Sequence, residues 1–498
     1  MKKLLHLAVL CMFFSAQAQT TWEKKLILYY NGKLSAGEPT GMVETPDKGF
    51  IISGKGLPLS ENIWTGFVYK INASGDSVWS KTYTATGFRR IANVFYNNNG
   101  KLMIAMETLI PNKKHNIVFA ELNENTGDTS NSFLVPKPNN ADGYQYTKHI
   151  ELADGSYVVL ARDISTGYEN ASHMFRFMPG STTQMWAADS LAKRVGTYFD
   201  MIYDNDGVIL SGSINTGHDR TSYTISKYGL EGTSRWHKTF AVASDYRRTN
   251  ARSLVATGDG KYITVGDKFE TVDGVHSATS ATAVVSQNGD SVYYTSVEPY
   301  QGGTLNSVIK MGGGYYAVGK AFRTVKDANG QNRTITFMTL YAINASGKAT
   351  KAQDFDFGLT VKNGFYQGTV ADGRDLLAST DGELVVYGVG TFVMPDSSTL
   401  QGPYIVKMKA PTVSVNEKQR VHNSLKLFPN PCTDNLFINT SGNSGKLIIY
   451  NMLGQEVYSD ILIGTGNKNV DVKHFSQGTY MVQLVNSHGV STAKFIKN

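Results

Sequence analysis

Two short stretches of this chain combine residue types that could capture an acidic ligand: Phe88-Arg89-Arg90 and Tyr246-Arg247-Arg248. A guanidinium offers a planar fork of N–H donors that matches a carboxylate or sulfate, and a neighbouring ring suits a cation or a sugar face. Arginines also serve plain surfaces, paired with an acid and contributing little. Only two of the seven repeats described below carry the pair, which weighs toward the plainer role. Catalytic chemistry is harder to find. There is no H-E-x-x-H, no G-x-S-x-G, no phosphate-cradling glycine loop and no spaced Cys/His cluster. The ten histidines are scattered singly. Asp354-Phe355-Asp356 would set two carboxylates on one face of a strand, but no neighbour marks an acid/base role. Asp204-Asn205-Asp206-Gly207 lacks the downstream bidentate glutamate of a calcium loop and reads as a hairpin turn. No cofactor and no metal are expected, and whether the chain is an enzyme stays open, leaning toward not.

The elements that would position such residues repeat along the chain. Asp47 to Tyr83 shows the unit: an Asp-Lys-Gly turn, the apolar run Phe50-Ile51-Ile52, a variable polar stretch and the alternating run Phe67 to Ile71. An Asn-Ala-Ser-Gly-Asp turn and Val78-Trp79-Ser80-Lys81 complete it. Short β-branched and aromatic runs between Gly/Asp/Asn clusters predict antiparallel strands joined by hairpins. The first apolar residue after the turn recurs as Phe50, Leu102, Tyr157, Val208, Tyr262, Tyr315 and Leu384. Successive steps are 51 to 55 residues, except a last step of 69 that holds the insertion Asn363 to Asp375. About four strands per unit at that period predict an all-β fold, a seven-bladed β-propeller over residues 19–410.

The seventh copy ends without its Trp-x-Lys strand, and Trp22-Glu23-Lys24 near the N-terminus supplies the missing sequence. Residues 21–28 are therefore expected to close the ring, because an open array would leave two long unpaired edges. Trp22, Trp79, Trp186 and Trp236 occupy one repeat position, which favours packing between blades over sugar docking. Strands that run up and down the blade put alternate loops on opposite faces. The short Asp-Gly and Asn-x-x-Gly-Asp turns share one face. The other carries the long second-to-third-strand loops and the connections between blades, and binding is expected there and at the mouth of the central channel.

Met1-Lys2-Lys3, the apolar Leu4 to Phe14 and Ser15-Ala16-Gln17-Ala18 predict a signal peptide over residues 1–18. No other stretch is apolar and long enough to predict a membrane span. Loss of the leader would leave Cys432 as the only thiol, so no internal disulfide is expected. The formal charge of +7 is spread thinly over 498 residues, too weak a basic field for a nucleic-acid partner.

Residues 411–424 are polar and read as a linker, and 425–498 change pattern to closely spaced short strands of a small Ig-like β-sandwich. Phe428-Pro429-Asn430-Pro431, Ile449-Tyr450-Asn451-Met452-Leu453-Gly454-Gln455-Glu456-Val457, Val470-Asp471-Val472 with Gly478-Thr479-Tyr480, and Ala493-Lys494-Phe495-Ile496-Lys497 appear in that order. This segment resembles the type A C-terminal sorting domain of type IX secretion cargo. The repeats resemble those of secreted bacterial β-propellers. The first resemblance implies recognition by the type IX translocon and its sorting protease. It also implies a secreted or outer-surface destination after leader and sorting domain are removed. It says nothing of activity. The leading expectation is a non-catalytic module that binds a glycan or protein. The alternative is a hydrolase or lyase acting on polysaccharide or peptide, its carboxylates drawn from several blades.

Overall fold

The computed structural model describes residues 19–411 and 425–498. The exceptions are 31–32, 59–63, 84–87, 111–113, 138–142, 164–171, 189–195, 218–219, 241–248, 273–274, 298–301, 327–329, 356–359, 363–364, 368–370, 395–398, 440–444, 452–454, 463–466 and 487–488. The expected signal peptide and nearly all of the expected linker lie outside the described residues. Two compact units are present, Met1–Val413 and Ser414–Asn498.

In the first unit the alternating runs become strands, and no helix occurs among the described residues. Seven antiparallel sheets of four or five strands follow one another along the chain, with one extra two-stranded hairpin. The first long strand of each sheet lies innermost: Lys33–Glu44, Phe88–Tyr96, Tyr144–Glu151, Gly196–Asp204, Thr249–Ala256, Gly302–Met311 and Ala371–Ala378. Each packs against the next sheet, and Ala371–Ala378 packs back on Lys33–Glu44, so the array is a closed β-propeller. We number the blades 1 to 7 in that order. The extra residues before blade 7 fold in part as the hairpin Thr360–Lys362 with Phe365–Gln367. From Ala371 onward the stretch read as insertion is blade 7's innermost strand.

The outermost strand of blade 7 comes from the other end of the chain. Thr20–Lys25 pairs antiparallel with Thr399–Met408, Trp22 opposite Lys407 and Lys25 opposite Tyr404. That pairing satisfies backbone groups that would otherwise form an exposed edge.

A repeated clasp joins neighbouring blades and explains the Trp-x-Lys and Gly-Asp signatures together. The Trp79 indole donates its N–H to Glu124 O at 3.0 Å, Trp22 to Ala73 O at 3.0 Å and Trp186 to Leu230 O at 2.7 Å. Each ring covers the turn of the next blade. A Cβ built on Gly75, Gly127, Gly232 or Gly289 would come within 2.6–2.9 Å of the facing tryptophan or its neighbouring lysine. Those glycines also hold positive φ, at 78°, 69°, 85° and 83°, so two independent constraints select glycine there. The lysine two residues after the tryptophan pairs with the turn's aspartate: Lys24 with Asp76 at 2.7 Å, Lys81 with Asp128, and Lys238 with Asp290 at 3.0 Å. Because Trp22 sits in blade 7 and reaches the turn of blade 1, the same clasp closes the ring.

The second unit holds a three-stranded sheet (Lys426–Phe428, Asn435–Asn439, Asn467–Asp471) and a four-stranded one (Glu456–Leu462, Gly445–Asn451, Gly478–Asn486, Gly489–Lys497). Leu436, Ile438 and Val470 from the first share a core with Leu447, Ile449, Val482 and Leu484 from the second. Cys432 is buried in that core, and its N–H donates to Ile496 O at 2.9 Å. The peptide bonds preceding Pro429 and Pro431 are cis.

Candidate functional site: the channel mouth

Every innermost strand of the propeller carries a bulge at the same place. Thr40, Ala92, Thr147, Phe199, Arg252, Asn306 and Arg374 are each skipped in the pairing with the second strand. A bulge bends the strand and re-aims the unpaired residue, and all seven line the two adjoining cavities of the channel. After six of the seven bulges the next residue (Asn93, Lys148, Asp200, Ser253, Ser307 or Asp375) joins a second tier that ties blades together. Asp200 Oδ2 accepts from Ser253 Oγ at 2.8 Å and from the Leu254 N–H at 3.1 Å, while Lys148 Nζ pairs with Asp200 Oδ1 at 3.0 Å. Asp375 accepts from Ser307 Oγ, from the Leu376 N–H at 2.8 Å and from Tyr387 Oη at 3.2 Å. The Asp200 carboxylate raises the Lys148 pKa above the ordinary lysine value, outweighing the burial that opposes it, so this lysine stays charged at the channel centre.

The larger cavity has a volume of about 390 Å³. Four cations line it, Lys55, Arg90, Arg162 and Arg374, against two carboxylates, Glu38 and Asp375. Glu38 is shared, 3.1 Å from Lys55 Nζ and 3.5 Å from Arg374. Arg90 donates to Glu107 Oε1 at 2.7 Å and to Tyr146 O at 3.0 Å, and Glu107 itself is buried and also accepts the Tyr146 N–H at 2.8 Å. Arg162 reaches only Gln145 and has no carboxylate within ion-pair distance among the described residues. Burial first, and then the Arg90 charge, push the Arg162 pKa down. Among the described residues, the Nε–H groups of Arg90 and Arg374 are buried without an acceptor. Leaving such donors unpaired is costly.

Arg90 thus belongs to the site. Phe88 and Arg89 lie in the same strand, Phe88–Tyr96, and their side chains fall outside those described. Tyr246, Arg247 and Arg248 lie outside the described residues, so the two arginine stretches are not seen together. Of the other acidic stretches, Asp356 lies outside the described residues and the remaining carboxylates have local partners. Asp354 accepts from Thr339 at 3.1 Å and pairs with Lys351 at 3.1 Å. Asp204 and Asp206 flank a turn and hold Lys227 at 2.8 and 2.9 Å. No group of three metal-ligating side chains occurs among the described residues.

Sequence reasoning passed over Lys55, Arg162 and Arg374, although a signal existed. Each bulged residue stands nine or ten positions before the first apolar residue of its repeat. Lys55, Glu107 and Arg162 stand five positions after it in blades 1, 2 and 3. Polar residues at repeat positions that ought to be framework mark the channel.

Residues 426–498 match the family of secretion system C-terminal sorting domains. No curated protein sequence matches the chain. Among solved structures, the chain is similar to a protein of unknown function from Dyadobacter fermentans, with TM-score 0.41, 8% identity, and 78% of this chain and 99% of that one covered. It is likewise similar to the β-propeller domain of the Trilobed protease from Pyrococcus furiosus, with TM-score 0.41, 9% identity and 77% and 98% covered. An α-L-arabinanase from Penicillium chrysogenum gives TM-score 0.38, 11% identity and 78% and 98% covered. At these values the likenesses carry nothing about activity.

Proposed function

We propose that this type IX secretion cargo, exported by its sorting domain to the cell exterior or surface, carries its propeller as a non-catalytic module binding a glycan or protein at the channel mouth. The observation that supports this most is the state of the channel's carboxylates. Asp200, Asp375 and Glu107 are each held by two or more donors, while Arg162 makes no ion pair among the described residues and Arg90 and Arg374 keep part of their side chains exposed. General acid–base chemistry needs a carboxyl group free to exchange a proton with substrate; binding needs unspent donors on a rigid frame. In this reading the sorting protease removes the C-terminal unit, and the propeller is then released or retained at the surface.

A hydrolase or lyase is the second reading, and one contact favours it: the Tyr387 phenol on Asp375 inside the cavity, the carboxylate–phenol pair closest to a reacting pair. An array of polysaccharides and peptides, probed with the secreted chain and followed by product analysis, separates the two. Retention of an unaltered ligand is expected. Release of shortened saccharides or peptide fragments would establish the hydrolase instead, and binding to nothing on the array would remove the module reading.

A further inference from the structure

We infer that the site takes an acidic glycan, with the carboxylate or sulfate of a sugar unit seated among Arg90, Arg162 and Arg374. The inference rests on the module reading above and names its ligand class. Four lining cations face two lining carboxylates, and the buried Glu107 beneath Arg90 does not make up the difference. Arg162, on the second strand of blade 3, makes no ion pair among the described residues and donates there to the Gln145 amide oxygen. Arg90 and Arg374 reach the same cavity from blades 2 and 7, with side chains 22% and 39% exposed, so their outer N–H groups are open to a ligand. An anion placed there would pair with Arg162 and turn a like-charge contact into a charge-assisted hydrogen-bond network.

The walls favour a sugar over a peptide. The innermost strands are mostly edges of their sheets, but a bulge in mid-strand breaks the regular succession of donors and acceptors that an added peptide strand would need. Thr40, Gln145, Thr147 and Thr197 supply donor and acceptor pairs suited to hydroxyls, and Phe199 adds a ring face. A volume of about 390 Å³ falls inside the range of small-ligand sites, roughly 300–1,000 Å³.

The test is calorimetric titration of the purified full chain with polygalacturonate, dextran sulfate, carboxyl-reduced polygalacturonate and poly-glutamate. We expect binding to at least one of the two acidic glycans, with the neutral polymer and poly-glutamate roughly tenfold weaker or worse. Arg162→Gln is expected to weaken acidic-glycan binding by about tenfold or more with little change in thermal midpoint. Lys101→Gln, which removes an exposed charge at a turn outside the cavity, should leave it unchanged. Equal weakening by both substitutions would mean diffuse attraction by a basic protein and would overturn the site. Equal affinity for the neutral polymer would overturn the acidic-ligand inference while leaving the module reading in place. Preference for poly-glutamate would overturn the glycan assignment, and binding to none of the four would overturn the inference outright.

Discussion

His149 stands beside the charged Lys148 on the innermost strand of blade 3, and its burial makes stability depend on pH in a calculable way. Its ring lies 4.0 Å from Phe95 and 5.2 Å from Phe119 by centroid, and Nδ1 is 2.6 Å from Tyr146 Oη. Burial, with the Lys148 charge adding to it, pushes the imidazole from 6.5 down to about 3. Between those values the unfolded chain binds a proton that the native protein refuses. The native state is therefore most stable above pH 7 and loses stability as pH falls through 6.5 toward 3. The loss approaches about 1.4 kcal/mol per pH unit and sums to about 2 kcal/mol between pH 7 and pH 5. His149→Leu removes the titration. It also costs Tyr146 a partner, a penalty that is the same at both pH values and cancels, while the Asn93 amide still donates to Tyr146 Oη at 3.2 Å. Urea unfolding of both proteins at pH 7 and pH 5 should show the natural protein losing about 2 kcal/mol more than the variant. Equal losses would refute the reasoning, and so would an NMR titration placing this imidazole near 6.5.

Three further outcomes follow from the clasps and the core. Trp22→Ala removes the indole hydrogen bond to Ala73 and a ring 6.0 Å from Phe50. It should cost about 2–4 kcal/mol and speed amide exchange in Thr20–Lys25; unchanged exchange there would mean the indole does not latch the ring. Gly127→Ala and Gly100→Ala both disturb a positive φ, 69° and 71°, but only the first meets a tryptophan, at 2.8 Å, while Gly100 has nothing within 4 Å. Thermal melts should show the Gly127 change costing more, by about 1–2 kcal/mol, and equal costs would remove the clasp from the explanation. Cys432 is 2% exposed, and burial pushes its thiol pKa up. A thiol reagent should therefore modify it only after denaturation; rapid modification of the native chain would contradict the packing of the second unit.

The framework was readable because its constraints are local and repeated. The tryptophan of the outer strand recurs in four of the seven blades, each ring facing a glycine turn, and so the N-terminal Trp22 could be matched to the unfinished last repeat. Phe428-Pro429-Asn430-Pro431 and the motifs after it identified the sorting domain in the same way. The site was less readable because it is assembled across blades. Arg90 was visible beside a second arginine, whereas Arg162 and Arg374 each stand alone, 72 and 284 residues further along the chain. What brings them together is ring closure combined with a bulge at each innermost strand. The bulge leaves only a one-residue slip in pairing and no residue type of its own: Thr, Ala, Phe, Arg and Asn all occupy it.

The claim that the ligand enters the channel mouth is tested most directly by filling it. Thr147 lies at a bulge and lines both channel cavities, so Thr147→Trp would place an indole where the ligand should sit. Titration of this variant with whichever glycan the natural protein retains should show affinity reduced by at least about tenfold, with a thermal midpoint within a few degrees of the natural protein. A folded variant that binds as tightly as before would put the ligand elsewhere.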